Sequence, residues 1–272
     1  MIGKSVLIMK TISPITWPGG KAKHFDKIKQ FLPKDMKTFV EPFCGGASVG
    51  LNIIQQQLAS IVYFNDLNAD LINFWKNIND INIEKISQIS YPKVKTIEAL
   101  QQKLNKINLN NSEKFLINNA LTFNGNAWGT YTDLRLKQNF NDNKIKKIIA
   151  VQNLLNNFYL PNKTNYYFDN QDYKKIINLF GHDKDVVWYL DPPYFYNKGK
   201  PYKHSKINFQ ELKAYILKIK GRWILSIDNS LVIKELFKEF NIYQFEWFYT
   251  STNCHKQKLK LGKELIITNF KN

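Results

Sequence analysis

Apolar positions along this chain follow two periods, and the alternation between them predicts the elements. Residues 37–43 and 61–64 are short runs rich in Val, Ile, Phe and Tyr. Each gives way to helical spacing, over 47–58 and over 68–77, where Leu71, Ile72 and Trp75 share one side. The alternation resumes late in the chain, with strands predicted at 166–168, 186–190 and 223–227 and helices near 209–219 and 231–240. Two further strands, 242–249 and 264–269, close the chain, and Trp247, Phe248 and Tyr249 read as core residues of the first. Strands that alternate with helices predict a mostly parallel sheet with helices on both faces.

Between residues 81 and 161 the strand period disappears. The stretch is polar, rich in Asn and Lys, and carries helical stripes at Leu100, Leu104 and Ile107, and at Ile145, Ile148, Ile149, Gln152 and Leu155. It reads as a helical insertion, 81–161, within an α/β domain formed by 1–80 and 162–272.

Composition changes this picture only a little. A chain of 272 residues, 44% hydrophobic, can bury a full core. The formal charge of +17, from 39 basic and 22 acidic residues, suits a polyanionic partner such as nucleic acid. Yet the bases are Lys except for Arg135 and Arg222, and Ile and Asn abound, as an AT-rich gene would dictate for any function. Two cysteines, Cys44 and Cys254, make neither a disulfide framework nor a zinc site, and point to a reducing cytoplasmic setting. The apolar stretch at 6–9 is too short for a signal-peptide core, Met9 is an alternative start, and no run reaches the roughly 18 apolar residues of a membrane span. His24, His182, His204 and His255 show no metal-ligand spacing.

Four motifs carry candidate chemistry. Asp191-Pro192-Pro193-Tyr194 follows the apolar run 186–190, where ligands of open α/β sheets bind. An exocyclic amine such as that of adenine is a poor nucleophile, because its lone pair is delocalised into the ring. Asp191 and the Pro192 carbonyl could each accept one of its hydrogens, and Tyr194 could stack on an extruded base. An ordinary strand-ending turn would also use Asp and Pro. The second motif, residues 39–48, is a strand entering a helix through Gly45-Gly46, a turn that lets a ligand approach the backbone closely. It has neither G-x-G-x-x-G nor a following Lys-Ser/Thr, which tells against dinucleotide and triphosphate sites. Third, Asp66 follows the second strand, where an acidic residue can accept from ribose hydroxyls, although Asp66 or Asn68 could equally cap the next helix. Fourth, Trp17-Pro18-Gly19-Gly20-Lys21 offers a flat face and an ammonium for a carboxylate such as that of a methionine moiety.

Taken together and in this order, the four motifs resemble the Dam-type (D12 class) DNA adenine N6-methyltransferase family. The resemblance runs from Trp17 to the strand Glu264-Leu265-Ile266-Ile267. It implies a Rossmann-like methyltransferase fold with a helical target-recognition insertion, S-adenosyl-L-methionine as cofactor and double-stranded DNA as substrate. It implies cofactor contacts at Trp17, Lys21, Glu41, Phe43, Gly45, Asp66 and Asp191, with Asp172 and Tyr173 beside the cofactor's adenine. Asp191, Pro192 and Tyr194 take the catalytic positions, and no metal is expected. Asn124, in a Phe-Asn-Gly segment, with Asn126, Arg135, Lys198 and Lys203, are the candidate DNA contacts. Residues 126–131 lack the Arg-Tyr-Asn and Phe-Asn-x-Pro of members that read GATC, so the resemblance carries no target sequence. A separate cognate restriction endonuclease is a further implied partner. Two alternatives stay open at this point. One is methylation of RNA or of a protein side-chain amide, against which the N-terminal Trp-Pro-Gly-Gly-Lys tells. The other is a non-catalytic DNA-binding protein on the same fold.

Overall fold

The computed structural model describes residues 12–122, 131–156, 164–193, 207–249 and 260–271, without the side chains of 247–249 and 260–262. Its frame is one seven-stranded sheet in the order β3-β2-β1-β4-β5-β7-β6. The strands are β1 (Thr38–Glu41), β2 (Ile61–Asn65), β3 (Asn165–Asp169), β4 (Val186–Leu190), β5 (Arg222–Asp228), β6 (Asn241–Tyr249) and β7 (Lys260–Thr268). β1 to β5 are parallel, and β7 inserts antiparallel between β5 and β6.

Strand residues alternate between two cores. Phe39, Val187, Tyr189, Ile224 and Ile266 face one layer, while Val40, Trp188, Leu190, Leu225 and Ile267 face the other. β4 is buried at every position, which is why it reads as an unbroken apolar run rather than an alternating one. The second layer is built by α9 (Tyr173–Phe180), α10 (Phe209–Ile216) and α11 (Leu231–Leu236).

The first layer holds α1 (Phe25–Lys29), α2 (Ser48–Gln55) and α3 (Ala69–Lys76), and also every helix of the stretch read as an insertion. These are α4 (Ile83–Ile89), α5 (Ile97–Leu104), α6 (Asn111–Leu121), α7 (Asp133–Asn139) and α8 (Asp142–Leu155). Their apolar sides join α1–α3 and the sheet in one continuous cluster, so among the described residues the stretch read as an insertion shares its core with the sheet. The predicted stripe on α8 is displaced: Ile145, Ile148 and Leu155 are buried, but Ile149 is 38% exposed and Val151 takes the inward place. Gln152, also in that stripe, donates to the carbonyls of Ile78 and Ile81 and ties α8 to the start of the insertion.

The abundant asparagines have a structural use. Asn68, Asn82, Asn110, Asn141 and Asn208 each cap a helix by accepting backbone N–H groups. Asn110 forms a capping box with the fully buried Glu113. Glu113 also accepts from the Asn82 N–H and the Lys85 ammonium, joining the starts of α4 and α6.

Candidate active site

The strand order reverses between β1 and β4, since the chain leaves β1 towards β2 and β3 but continues from β4 to β5. Such a switch point opens a crevice at the carboxyl ends of the strands. The loops that follow β1, β2 and β4 at these ends carry the glycine turn, Asp66 and Asp191.

After β1 the chain turns through residues 42–47 with left-handed backbone at Gly45 (φ 46°) and Ala47 (φ 51°). The turn is anchored from the next strand. Cys44 N–H donates to the Asn65 carbonyl at 2.8 Å, and Gly45 N–H donates to Asp66 Oδ2 at 2.9 Å. Asn65, fully buried, donates to the carbonyls of Pro42 and Gln171 and accepts from the Gln171 N–H, binding the ends of β1, β2 and β3 together. The Trp75 indole N–H donates to the Gly45 carbonyl at 3.1 Å. The expectation of a close ligand approach to these glycines is modified here. It is the Trp17 indole that lies on the turn: a Cβ at Gly45 would overlap it, and one at Gly46 would sit 3.1 Å from Trp17 Cβ. Cys44 is buried and its thiol is driven well above its usual range by burial, in keeping with a packing residue.

Lys21, 2% exposed, is the centre of the charge arrangement. Its ammonium donates at 2.8 Å to both Asp191 Oδ1 and Oδ2, and at 2.9 Å to the Gly19 carbonyl. In this structure, then, the carboxylate that Lys21 meets belongs to the protein itself. Glu264 of β7, 2% exposed, lies 3.9 Å from the same ammonium. Burial works to lower the Lys21 pKa, but the charges of Asp191 and Glu264 outweigh it and the net shift is upward. Asp191 is raised to about 6, by burial first, with Lys21 opposing and Glu264 adding. Glu41, buried at the end of β1, accepts from the Gly50 N–H at 3.0 Å. Its carboxyl lies well above the ordinary range because of burial, with Asp191 and Asp66 contributing. Asp66 is also raised by burial, against the N–H groups of Asn68 and Gly45 that it accepts.

The Phe43 and Tyr173 rings meet at 5.1 Å, bringing two more predicted positions together beyond β1 and β3. Asp172 caps α9 by accepting from the Lys174 N–H, and the capping alternative weighed for Asp66 or Asn68 is met by Asn68, which accepts from the Leu71 N–H at the start of α3. Arg135 sits on α7 of the insertion. Tyr194, Asn124, Asn126, Lys198 and Lys203 lie outside the described residues. Glu264 is the site residue that sequence reasoning passed over. Its signal was a lone acid opening an apolar strand, Glu264-Leu265-Ile266-Ile267, which local pattern alone assigns to a strand end.

An open α/β sheet with a glycine turn, an acid after β2 and Asp-Pro-Pro after β4, all at one switch point, has its candidate residues where sheets of this class bind their ligands. The chain belongs to the D12 class N6 adenine-specific DNA methyltransferase family, whose model matches residues 17–251. It is 25% identical over 306 residues to the modification methylase StsI of Streptococcus sanguinis, covering 95% of this chain and 43% of that protein. It is 24% identical to the type II methyltransferase M1.LlaDCHI of Lactococcus lactis, with 96% of each chain covered. It is 26% identical to the type II methyltransferase M.MjaIII of Methanocaldococcus jannaschii, covering 94% of this chain and 98% of the relative. The chain thus spans less than half of the first of these relatives and nearly all of the other two.

Proposed function

We propose that this protein transfers a methyl group from S-adenosyl-L-methionine to the N6 amine of an adenine extruded from duplex DNA. Family membership sets the reaction class, and the observation that supports the catalytic reading is the Lys21–Asp191 pair directly beyond β4, beside the glycine turn.

The donor set fits the cofactor. Three buried or half-buried acidic groups, Asp191, Glu264 and Glu41, act on one buried ammonium, Lys21, and Asp66 acts in turn on Glu41, an excess of acid over base that favours a cationic ligand. Asp66 keeps acceptor capacity for ribose hydroxyls beyond the backbone N–H groups of Gly45, Leu67 and Asn68, and the Phe43–Tyr173 pair offers flat faces for a purine. The cofactor supplies a methyl group made electrophilic by a positively charged sulfur.

The chain's own task is to make the adenine amine a nucleophile. Asp191 accepts one amine hydrogen and the Pro192 carbonyl the other, drawing the nitrogen towards a tetrahedral geometry. Each carboxylate oxygen has two lone-pair positions, so Asp191 can accept the amine while Lys21 still holds both oxygens. The Lys21 charge keeps Asp191 ionised near neutral pH although burial opposes it. Tyr194, next in the sequence, is the stacking partner of the base in this proposal.

Measuring transfer of labelled methyl groups to duplex DNA, RNA and protein acceptors tests this reading. DNA adenine is the expected acceptor. Asp191→Ala is expected to lower the rate by at least about a hundredfold, as for loss of one placed electrostatic partner. Because Asp191 must be ionised to accept, wild-type activity falls as pH drops through about 6. A fully active Asp191→Ala variant overturns the role.

A further inference from the structure

The segment that carries Trp17 and Lys21 is tied to the insertion through its own backbone. Asn119 of α6, 2% exposed, accepts from the Thr16 N–H and donates to the Thr16 carbonyl, both at 2.8 Å. Its amide thereby binds both polar groups of the residue just before Trp17, as a neighbouring strand would. Two residues earlier, Lys144 of α8, 9% exposed, donates to the Pro14 carbonyl at 2.7 Å. Ile15, between these ties, and Ile12, just before them, are buried in the first-layer core. Downstream of the ties, Trp17 lies on Gly45 and Lys21 holds Asp191. A buried asparagine amide that satisfies a remote backbone with both of its groups admits one arrangement of that backbone, since any shift strands two buried polar groups.

The neighbouring residue on α6 serves the same helix end. Asn118 accepts from the Tyr131 hydroxyl, and its carbonyl accepts from the Thr122 hydroxyl at 2.7 Å. One turn of α6 therefore holds Tyr131 and Thr122 on one side and the Trp17 segment on the other.

We propose that Asn119 and Lys144 are positioning residues: they set the Trp17–Lys21 segment against the switch point, so that the Lys21–Asp191 pair depends on the helical insertion and not on the sheet alone. The idea rests on the proposed catalytic role of that pair, but its geometry can be tested without catalysis.

Protein labelled with 13C at the aspartate carboxyl carbons is titrated by NMR, with the Asp191 resonance assigned by its loss in Asp191→Asn. Among the described residues, the titratable groups that act on Asp191 are Lys21, Glu264, Glu41 and Tyr189. Only Lys21 among these lowers the Asp191 carboxyl pKa. In Asn119→Ala, Lys21 withdraws and the Asp191 titration moves upward by on the order of one pH unit. S-adenosyl-L-methionine affinity, measured by calorimetry, falls at least about tenfold as Trp17 and Lys21 lose their setting. Lys144→Met, similar in shape and without a buried ammonium, shifts Asp191 in the same direction and serves if Asn119→Ala does not fold. An Asp191 titration unchanged in the folded variants overturns the positioning proposal. If the variants show the shift but the wild-type protein methylates no DNA, the functional reading is overturned instead.

Discussion

At the scale of single residues, burial is the force that sets the chemistry. Asp191 and Glu41 are both carboxyls pushed upward by loss of water, but they differ in their partners. Asp191 has the Lys21 ammonium on both oxygens and stops at about 6, whereas Glu41 has one backbone N–H and lies well above the ordinary range. The first is suited to being an ionised acceptor, the second to being a buried support for α2. Lys144 shows the same force with the opposite sign, since burial lowers its pKa to about 7, with Lys147 adding. Its folded pKa lies below its unfolded value, so the folded chain binds fewer protons in the window between them and stability rises with pH there. Unfolding free energy from urea titrations is expected to increase by about 2 kcal/mol from pH 7 to pH 9. Lys144→Met should flatten that rise, and an equal slope in the variant would remove Lys144 as its source.

At the scale of elements, the β1–α2 turn is where sequence and structure agree in outline and differ in reason. Gly45-Gly46 marks a strand-to-helix turn in any reading, and the turn is there. The glycines are required because the Trp17 indole rests on them, 28 residues upstream of Gly45 in the chain, and because Gly45 takes φ 46°. Gly45→Ala is expected to lower stability by about 1–3 kcal/mol through backbone strain, and to displace Trp17. Thermal unfolding reads the first effect, and quenching of tryptophan fluorescence by acrylamide reads the second. Unaltered quenching together with normal stability would show that the turn does not need its glycine. The capped helices tell a similar story. Asn before an apolar stripe predicts a helix start, and Asn68, Asn82, Asn110, Asn141 and Asn208 deliver it. That Glu113 would reach a second helix start at Asn82, 31 residues away, has no local signal.

For the whole molecule, the excess of 39 basic over 22 acidic residues acquires a meaning that composition alone could not give. Among the described residues, the acids with the strongest burial, Glu41, Glu113 and Glu264, are withdrawn inside, while most lysines stay at the surface. If about six of those lysines contact phosphate in the proposed DNA complex, affinity should drop by roughly a thousandfold between 50 and 200 mM salt. Fluorescence anisotropy with a labelled duplex measures that slope, and a flat salt dependence would rule out a phosphate-dominated interface.

By itself the sequence determined the alternating elements, the motifs at the ends of β1, β2 and β4, and through their order the family. These are short-range properties: a period of two or 3.6, a cap, a turn, a strand followed by Asp-Pro-Pro. β4 was legible at both ends, Val186–Leu190, because a strand buried on both faces must be apolar throughout. Only the tertiary structure decided which distant groups meet. Lys21 finds Asp191 across 170 residues, Lys144 finds Pro14 across 130, and Asn119 finds Thr16 across 103. Glu264 joins Lys21 because β7 runs antiparallel inside the sheet and brings its acid to the switch-point side. No local pattern encodes such pairings, since each depends on the order in which strands and helices pack and on the burial that then makes every polar group need a partner.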